Sequence, residues 1–228
     1  MLQQKNHEVK KDVMRTLRNT KEKEEIGKLL DFYRKNKLKI KDRLNDFSKV
    51  PEKEYFYELC FCLCTPQSKA RKCDIAVSLL KEKGFLDKNV NPLKILHRNV
   101  RFHINKSRYL LELKRKFPSI DEKIKQNRNK KAAKELREWL VKNVKGLGYK
   151  EASHFLRNIG FRNLAILDRH ILKNMIRYGA IKDLSKTLTK KEYLRLEGEF
   201  GRFSEKIGID MDELDLVFWS METGEIFK

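Results

Sequence analysis

Apolar residues recur every three or four positions along most of this chain, which is the spacing of one face of an α-helix. Three stripes illustrate the pattern: Tyr109, Leu110, Leu113 and Phe117; Ala133, Leu136, Leu140 and Val144; and Ala152, Phe155, Leu156 and Ile159. No segment shows the clear alternation of apolar and polar residues that is typical of a half-buried strand. The pattern therefore predicts an all-α fold.

Proline, glycine and capping residues divide this pattern into separate helices. Three prolines are expected in the gaps between helices: Pro51, Pro92 and Pro118. Three glycines fit helix ends: Gly84, Gly160 and Gly179. Two pairs have the spacing of a capping box that opens a helix: Thr189 with Glu192, and Asp210 with Glu213.

The chain has 228 residues, with 53 Lys and Arg against 32 Asp and Glu, which gives a formal net charge of +21. So large a positive excess favours a polyanion as the partner. A heat-adapted surface would also be rich in charge, but it explains charges of both signs rather than an excess of one. No apolar run is long enough for a membrane span, and the first residues lack the apolar core of a secretory signal.

Three of the four cysteines lie in the segment CFCLC, as Cys60, Cys62 and Cys64, and Cys73 follows nearby. This spacing matches none of the usual zinc or iron–sulfur patterns, so neither a metal site nor a cofactor is predicted. Because the run is apolar, the thiols are expected to be reduced and buried in a core helix. Reduced thiols indicate a cytoplasmic location.

Two glycines, Gly146 and Gly148, lie between two predicted helices, the first ending near Val144 and the second beginning near Tyr149. Glycines at this spacing permit a tight hairpin with positive φ and leave backbone N–H groups uncovered. Free amides and the dipole at the start of the second helix suit a phosphate. The pattern therefore predicts a helix–hairpin–helix that grips a nucleic-acid backbone without reading its sequence.

Lys150 falls in the first turn of the second helix, where the helix dipole favours a neutral amine that can form a Schiff base with a sugar carbon. Asp168 follows the apolar run LAIL and precedes another helical stripe. Its carboxylate can cap that helix, accept the lysine proton, or stabilise a developing oxocarbenium ion. Periodicity alone favours the simpler roles, a phosphate contact for Lys150 and an N-cap for Asp168.

The stretch GLGYK…ILDRHIL resembles the helix–hairpin–helix and aspartate signature of the endonuclease III superfamily of DNA glycosylases. Members with a lysine at this position excise a damaged base and then nick the abasic site. The iron–sulfur cysteines of endonuclease III are absent, while the ending DLVFWSMETGEIFK is similar to archaeal-type 8-oxoguanine DNA glycosylases. The resemblance implies excision of 8-oxoguanine and β-elimination through a Schiff base on Lys150, supported by Asp168.

Two alternatives stay open at this point. One is an endonuclease III-like glycosylase for oxidised pyrimidines. The other is a non-catalytic helix–hairpin–helix DNA-binding module in which Lys150 grips phosphate.

The resemblance also assigns residues that would enter the DNA. Gln67 would occupy the space vacated by the flipped base, although an ordinary turn residue after Pro66 is the simpler interpretation. Phe102 would be the intercalating wedge, with a buried core phenylalanine as the alternative. Arg101 would lie near the orphaned base, with phosphate binding as a close competitor.

Three further residues follow from the family resemblance. The terminal carboxylate of Lys228 would accept a hydrogen bond from a purine N–H and so favour 8-oxoguanine over guanine. Trp219 would offer an aromatic face to the flipped base. A frayed end and a core tryptophan are the respective alternatives. His170 would steady its loop or contact phosphate.

The resemblance implies two helical lobes with DNA bound across the cleft between them. One lobe would combine residues 1–49 with 150–228, and residues 50–149 would form a helical bundle leading into the hairpin at 146–148. The expected partner is double-stranded DNA that contains 8-oxoguanine or abasic sites. The protein is expected to act as a monomer and not to bind a membrane. No cofactor is expected, although the family's hairpin carbonyls can hold a monovalent cation.

Overall fold

The computed structural model describes residues 20–128, 132–185 and 187–228, and within these ranges it has ten α-helices and no strand. The helices are α1 (Thr20–Ser48), α2 (Tyr55–Cys64), α3 (Ala70–Glu82), α4 (Pro92–Leu96), α5 (His103–Arg128), α6 (Ala133–Asn143), α7 (Tyr149–Asn158), α8 (Arg169–Arg177), α9 (Lys190–Ile207) and α10 (Met211–Thr223). A short 3-10 turn, Glu52–Glu54, precedes α2. The all-α prediction is confirmed.

The chain folds as two compact units. Unit 1 contains the described residues up to Asn45 together with Ala165–Phe227, and unit 2 contains Asp46–Leu164 together with Lys228. The sequence placed a boundary after residue 149, whereas residues 150–164 lie in unit 2. The physical reason is that α7 packs against α2 and α6 of the same unit.

Helix α2 is the core of unit 2, where it packs against α3, α5 and α7. Its Phe56 ring lies 5.0 Å from the ring of Phe117 and 5.8 Å from that of Phe85, measured between centroids. All four cysteines are buried and free, as predicted from their apolar surroundings. Burial raises the pKa of the Cys73 thiol to about 11, which disfavours the reactive thiolate.

Pro118 lies inside α5, so the prediction that it marks a gap between helices is wrong. Proline removes one backbone hydrogen bond and crowds the preceding turn. The apolar face of α5 nevertheless stays buried on both sides of the proline, from Leu113 and Phe117 to Ile120 and Ile124. Burial of this face offsets the local cost, and the helix continues.

Unit 1 is built around α10, which packs against α8 and α9. Phe218 of α10 stacks on Tyr178 with ring centroids 5.4 Å apart, and the rings of Phe200 and Phe203 lie 5.9 and 6.4 Å away. These contacts form one aromatic cluster beneath α10. None of the helices in the described ranges is both long enough and apolar enough to cross a bilayer.

The two predicted capping boxes have different outcomes. Thr189 Oγ1 accepts a hydrogen bond from the Glu192 N–H at 3.3 Å, which confirms the first cap. Asp210 is the N-cap of α10 but makes no side-chain capping bond, so the second box is wrong. Glu213 instead accepts a hydrogen bond from the Tyr33 hydroxyl of α1, a tertiary contact that sequence spacing does not reveal.

Two glycines with positive φ, Gly160 in unit 2 and Gly179 in unit 1, offer a matched test of close backbone packing. Gly160 has φ +92, and a Cβ there would lie 2.8 Å from the main-chain Cα of Ser48, whereas Gly179 has φ +71 and open space around it. We expect Gly179→Ala to cost about 1 kcal/mol from backbone strain alone. Gly160→Ala should cost at least about 2 kcal/mol more, because its new Cβ collides with backbone.

Urea unfolding of both variants measures the difference. Equal losses of stability would show that the approach of Gly160 to Ser48 does not constrain the fold.

Candidate active site

The hairpin between α6 and α7 contains one position that requires glycine. Gly146 has φ +85, and a Cβ there would lie 2.4 Å from the Tyr109 ring, so both the backbone angle and the space require glycine. Gly148 has φ −90 and ψ −178, which any residue adopts, so the prediction of positive φ holds only for the first glycine. The second glycine therefore needs a different explanation.

Lys150 lies in the first turn of α7, as predicted. Its Nζ is 3.0 Å from Oε1 of Glu151, and the two side chains are 24% and 13% exposed. The amine is therefore partly shielded yet still reachable from solvent. The ion pair supplies Lys150 with a carboxylate that sequence reasoning did not single out.

A buried histidine lies one turn further along α7. Burial lowers the pKa of His154 well below 6.5, and the cations Arg157, Lys150 and Lys228 lower it further, while a hydrogen bond with the Lys228 main chain acts in the opposite direction. The His154 ring packs edge-on against Phe61 with centroids 5.6 Å apart. The imidazole is therefore neutral and buried in the surroundings of Lys150.

Lys228 is anchored in unit 2 rather than frayed. Its Nζ lies 3.0 Å from a carboxylate oxygen of Glu58 and 3.0 Å from one of Asp74. It also sits 4.7 Å from the centre of the Phe61 ring. Burial lowers the pKa of Lys228, but the two carboxylates outweigh that effect and raise it. The two carboxylates thus hold the ammonium, and the main chain of Lys228 is hydrogen-bonded to His154.

Gln67 and Phe102 are both exposed and both have positive φ, 55 and 58. Non-glycine residues adopt this conformation rarely, and the cost is tolerated where the surroundings enforce it. Phe102 is 52% exposed, which excludes the alternative of a core phenylalanine. The exposed Arg101 places its guanidinium 5.5 Å from the centre of the Phe102 ring.

A buried lysine connects the loop that carries Gln67 with the loop that carries Arg101 and Phe102. Lys106 Nζ donates to the Cys64 carbonyl at 2.7 Å, the Pro66 carbonyl at 2.6 Å and Ser68 Oγ at 3.1 Å. The same Ser68 Oγ accepts a hydrogen bond from the Arg101 N–H at 3.0 Å. Unit 2 therefore holds the exposed tips of both loops in a fixed arrangement.

Unit 1 carries the other predicted residues. Asp168 is the N-cap of α8, and its Oδ1 accepts hydrogen bonds from the His170 and Ile171 N–H groups at 2.8 and 2.9 Å. Both bonds use Oδ1, so Oδ2 takes no part in capping. The Nδ1 atom of His170 lies 3.8 Å from Oε2 of Glu222. Trp219 is half-buried, so part of its surface remains accessible.

The sequence missed the residues that support this site. Glu151 could have been noticed as an acidic residue at the third position of a helix, where Asp and Glu are favoured. Lys106, Glu58 and Asp74 carry no such signal, because their partners are distant in sequence. No group of three or more His, Cys, Asp or Glu side chains in the described ranges could hold a metal ion.

Comparison with known proteins identifies the family. A family model described as 8-oxoguanine DNA glycosylase matches residues 40–209. A Fusobacterium nucleatum protein named 8-oxoguanine DNA glycosylase/AP lyase is 42% identical over 220 residues, which cover 91% of this chain and 100% of that one. The chain belongs to the 8-oxoguanine DNA glycosylase family.

Solved structures of 8-oxoguanine DNA glycosylases share this fold. The Methanocaldococcus jannaschii glycosylase/lyase, in complex with 15mer DNA containing 8-oxoguanine, gives a TM-score of 0.80 at 32% identity and covers 89% of this chain and 99% of that one. The Thermotoga maritima glycosylase gives a TM-score of 0.79 at 30% identity, covering 91% and 100%. The family resemblance predicted from the hairpin motif and the C-terminal segment is confirmed.

The lowered pKa of His154 makes stability depend on pH. The neutral imidazole is favoured in the folded state, so its stabilising contribution is fully present above pH 6.5, the ordinary value. It is lost as the pH falls below that value, by up to about 1.4 kcal/mol per pH unit. In His154→Gln this part of the acid sensitivity should disappear.

The free energy of unfolding at pH 7, 6 and 5 measures the effect. If wild type and His154→Gln lose stability in parallel, the imidazole does not titrate as the buried environment requires.

Proposed function

We propose that this protein excises 8-oxoguanine from duplex DNA and cleaves the resulting abasic site through a Schiff base on Lys150. The observation that carries the proposal is the position of Lys150. It lies in the first turn of the helix after the hairpin, its side chain is partly shielded, and the chain belongs to the 8-oxoguanine DNA glycosylase family. This activity agrees with the names of the curated relatives, 8-oxoguanine DNA glycosylase/AP lyase. It also accounts for the positive excess of the chain, since the substrate is a polyanion.

The chemistry begins when the neutral amine of Lys150 attacks C1′ of the damaged nucleotide. The bond between C1′ and the base breaks, and the base leaves with the electron pair. The nitrogen then loses a proton and the C1′–O4′ bond opens, with a proton going to O4′, which gives an imine. The imine acidifies the C2′ hydrogens, so loss of one of them by β-elimination breaks the C3′–O bond on the 3′ side of the lesion. Asp168 supports this sequence, because its negative charge stabilises the positive charge that develops on the sugar and its carboxylate can move a proton.

Base recognition is assigned to Lys228 and Trp219. With its ammonium bound to Glu58 and Asp74, Lys228 can present a main-chain oxygen to a purine N–H beside the hydrogen bond that it makes with His154. Guanine lacks the hydrogen that 8-oxoguanine carries on N7, so an acceptor there discriminates between them. The exposed part of Trp219 can stack on the flipped base.

DNA distortion is assigned to the loops of unit 2. Phe102 is the wedge, Gln67 fills the space left by the flipped nucleotide, and Arg101 contacts the orphaned base or its phosphate. The hairpin glycines, Gly146 and Gly148, bring backbone N–H groups close to phosphate. His170 contributes to phosphate binding from unit 1.

Replacing the nucleophile tests the proposed function directly. Wild-type protein mixed with an abasic-site duplex and borohydride should form a covalent adduct, because borohydride reduces the imine. Lys150→Gln should form none, since its amide cannot make a Schiff base. The adduct is measured as a shifted band in denaturing gel electrophoresis.

Lys145→Gln is the matched control, because Lys145 is an exposed lysine beside the same hairpin. It should still form the adduct, with weaker binding that reflects a lost phosphate contact. An adduct with Lys150→Gln would overturn the Schiff-base assignment and favour a binding module.

Asparagine at position 168 separates capping from chemistry. Asn caps helices about as well as Asp, so Asp168→Asn should leave the melting temperature close to wild type. Loss of the negative charge should slow excision by roughly 100-fold or more. Single-turnover excision from an 8-oxoguanine duplex measures this rate, and a full-rate Asp168→Asn variant would reduce Asp168 to a helix cap.

A further inference from the structure

The pairing of Lys150 with Glu151 is unusual for neighbours on a helix. Adjacent side chains point in directions about 100° apart and do not normally meet. Here Lys150 Nζ and Glu151 Oε1 are 3.0 Å apart, with Glu151 only 13% exposed. The carboxylate must therefore turn back toward the start of α7 to reach the amine.

The backbone at Gly148 makes room for this turn. A Cβ on Gly148 would lie 2.9 Å from Oε2 of Glu151, closer than real Cβ contacts. With φ −90 and ψ −178, Gly148 is not needed for its backbone angle. The missing side chain therefore leaves space for one carboxylate oxygen while the other oxygen contacts Lys150.

We propose that Glu151 is a further catalytic residue, which accepts the proton from the Lys150 ammonium before the amine attacks C1′. In this step an N–H bond of Lys150 breaks and an O–H bond forms on Glu151 Oε1. The pair changes from ammonium and carboxylate to neutral amine and carboxylic acid, so charge and protons balance. The inference rests on the proposed function, because it deepens the role of Lys150 as the nucleophile.

The other titratable groups that interact with Lys150 are poor proton acceptors. Burial raises the pKa of the thiols Cys62 and Cys73, the latter to about 11, so neither is an anion near neutral pH. Burial keeps His154 neutral, and cations around it lower its pKa further. Lys106 is a donor to three acceptors. Glu151 differs from all four because it is a carboxylate in direct contact with the amine.

The carboxylates of Glu151 and Asp168 would then have different roles in the reaction. Glu151 would prepare the nucleophile at the start of the reaction. Asp168 would stabilise the sugar as positive charge develops and could move a proton in the later steps. The hairpin would then serve two purposes, since Gly146 shapes the turn and Gly148 admits the carboxylate that activates Lys150.

The test measures the rate of borohydride trapping and DNA affinity separately. Trapping is followed under single-turnover conditions on an abasic-site duplex. Affinity is measured on a duplex with a tetrahydrofuran abasic analogue, which cannot form an imine. Glu151→Gln keeps the size of the side chain but cannot take up the proton, so trapping should slow about tenfold or more. Its Kd should stay within about twofold of wild type.

A double-mutant cycle then links the glycine to the carboxylate. Gly148→Ala is compatible with the backbone angle, and it should slow trapping by pushing the Glu151 carboxylate away from Lys150. In the Glu151→Gln background the same alanine should cause little further loss of rate. If Gly148→Ala slows both backgrounds equally, the glycine acts by another route and its proposed purpose is overturned.

Two results would overturn the role of Glu151 itself. One is a Glu151→Gln trapping rate within about twofold of wild type. The other is a loss of rate matched by an equal loss of affinity, which would indicate a purely structural role at the start of α7. Lys150→Gln is measured in parallel. An adduct with Lys150→Gln would overturn the proposed function. If Lys150→Gln forms no adduct while Glu151→Gln is trapped at the full rate, only the role of Glu151 is overturned.

Discussion

The burial of α7 is the constraint on which the rest of unit 2 depends. This helix carries polar side chains into the interior, and each such burial is costly unless a partner is present. Ser153 accepts a hydrogen bond from Arg137 at 3.0 Å. Asn158 donates to Glu58 at 3.1 Å. These partners lie on α6 and α2, so they fix α7 between the two helices and hold its first turn, with Lys150, on a rigid support.

The electrostatics of the site follow from that burial. Cysteines and a histidine lie where burial disfavours their charged forms, as the raised pKa of Cys62 and the lowered pKa of His154 indicate. Lysines are tolerated nearby because specific oxygens bind them: carbonyls and a hydroxyl for Lys106, two carboxylates for Lys228. Lys150 forms its ion pair with the carboxylate of Glu151.

Sequence reasoning succeeded where the determining contacts are local. The hairpin, the first turn with Lys150 and the Asp168 cap involve residues within a few positions of each other. It failed where distant packing overrides a local preference. Pro118 lies inside a helix because the buried face of α5 extends past it. Asp210 makes no side-chain capping bond, and the Glu213 side chain instead contacts Tyr33 of α1.

By itself, the sequence determined the helical fold class, the glycine hairpin, the position of the lysine and the family, because periodicity and short motifs are properties of neighbouring residues. Only the tertiary structure decided that Glu151 bends back over Gly148 to reach Lys150. It also decided that Lys106 joins two exposed loops and that Lys228 is bound by carboxylates 154 and 170 positions away. The physical reason is that the contacts of Lys106 and Lys228 depend on how helices pack, whereas the contact of Glu151 depends on a side-chain rotamer within one helical turn, and sequence spacing specifies neither.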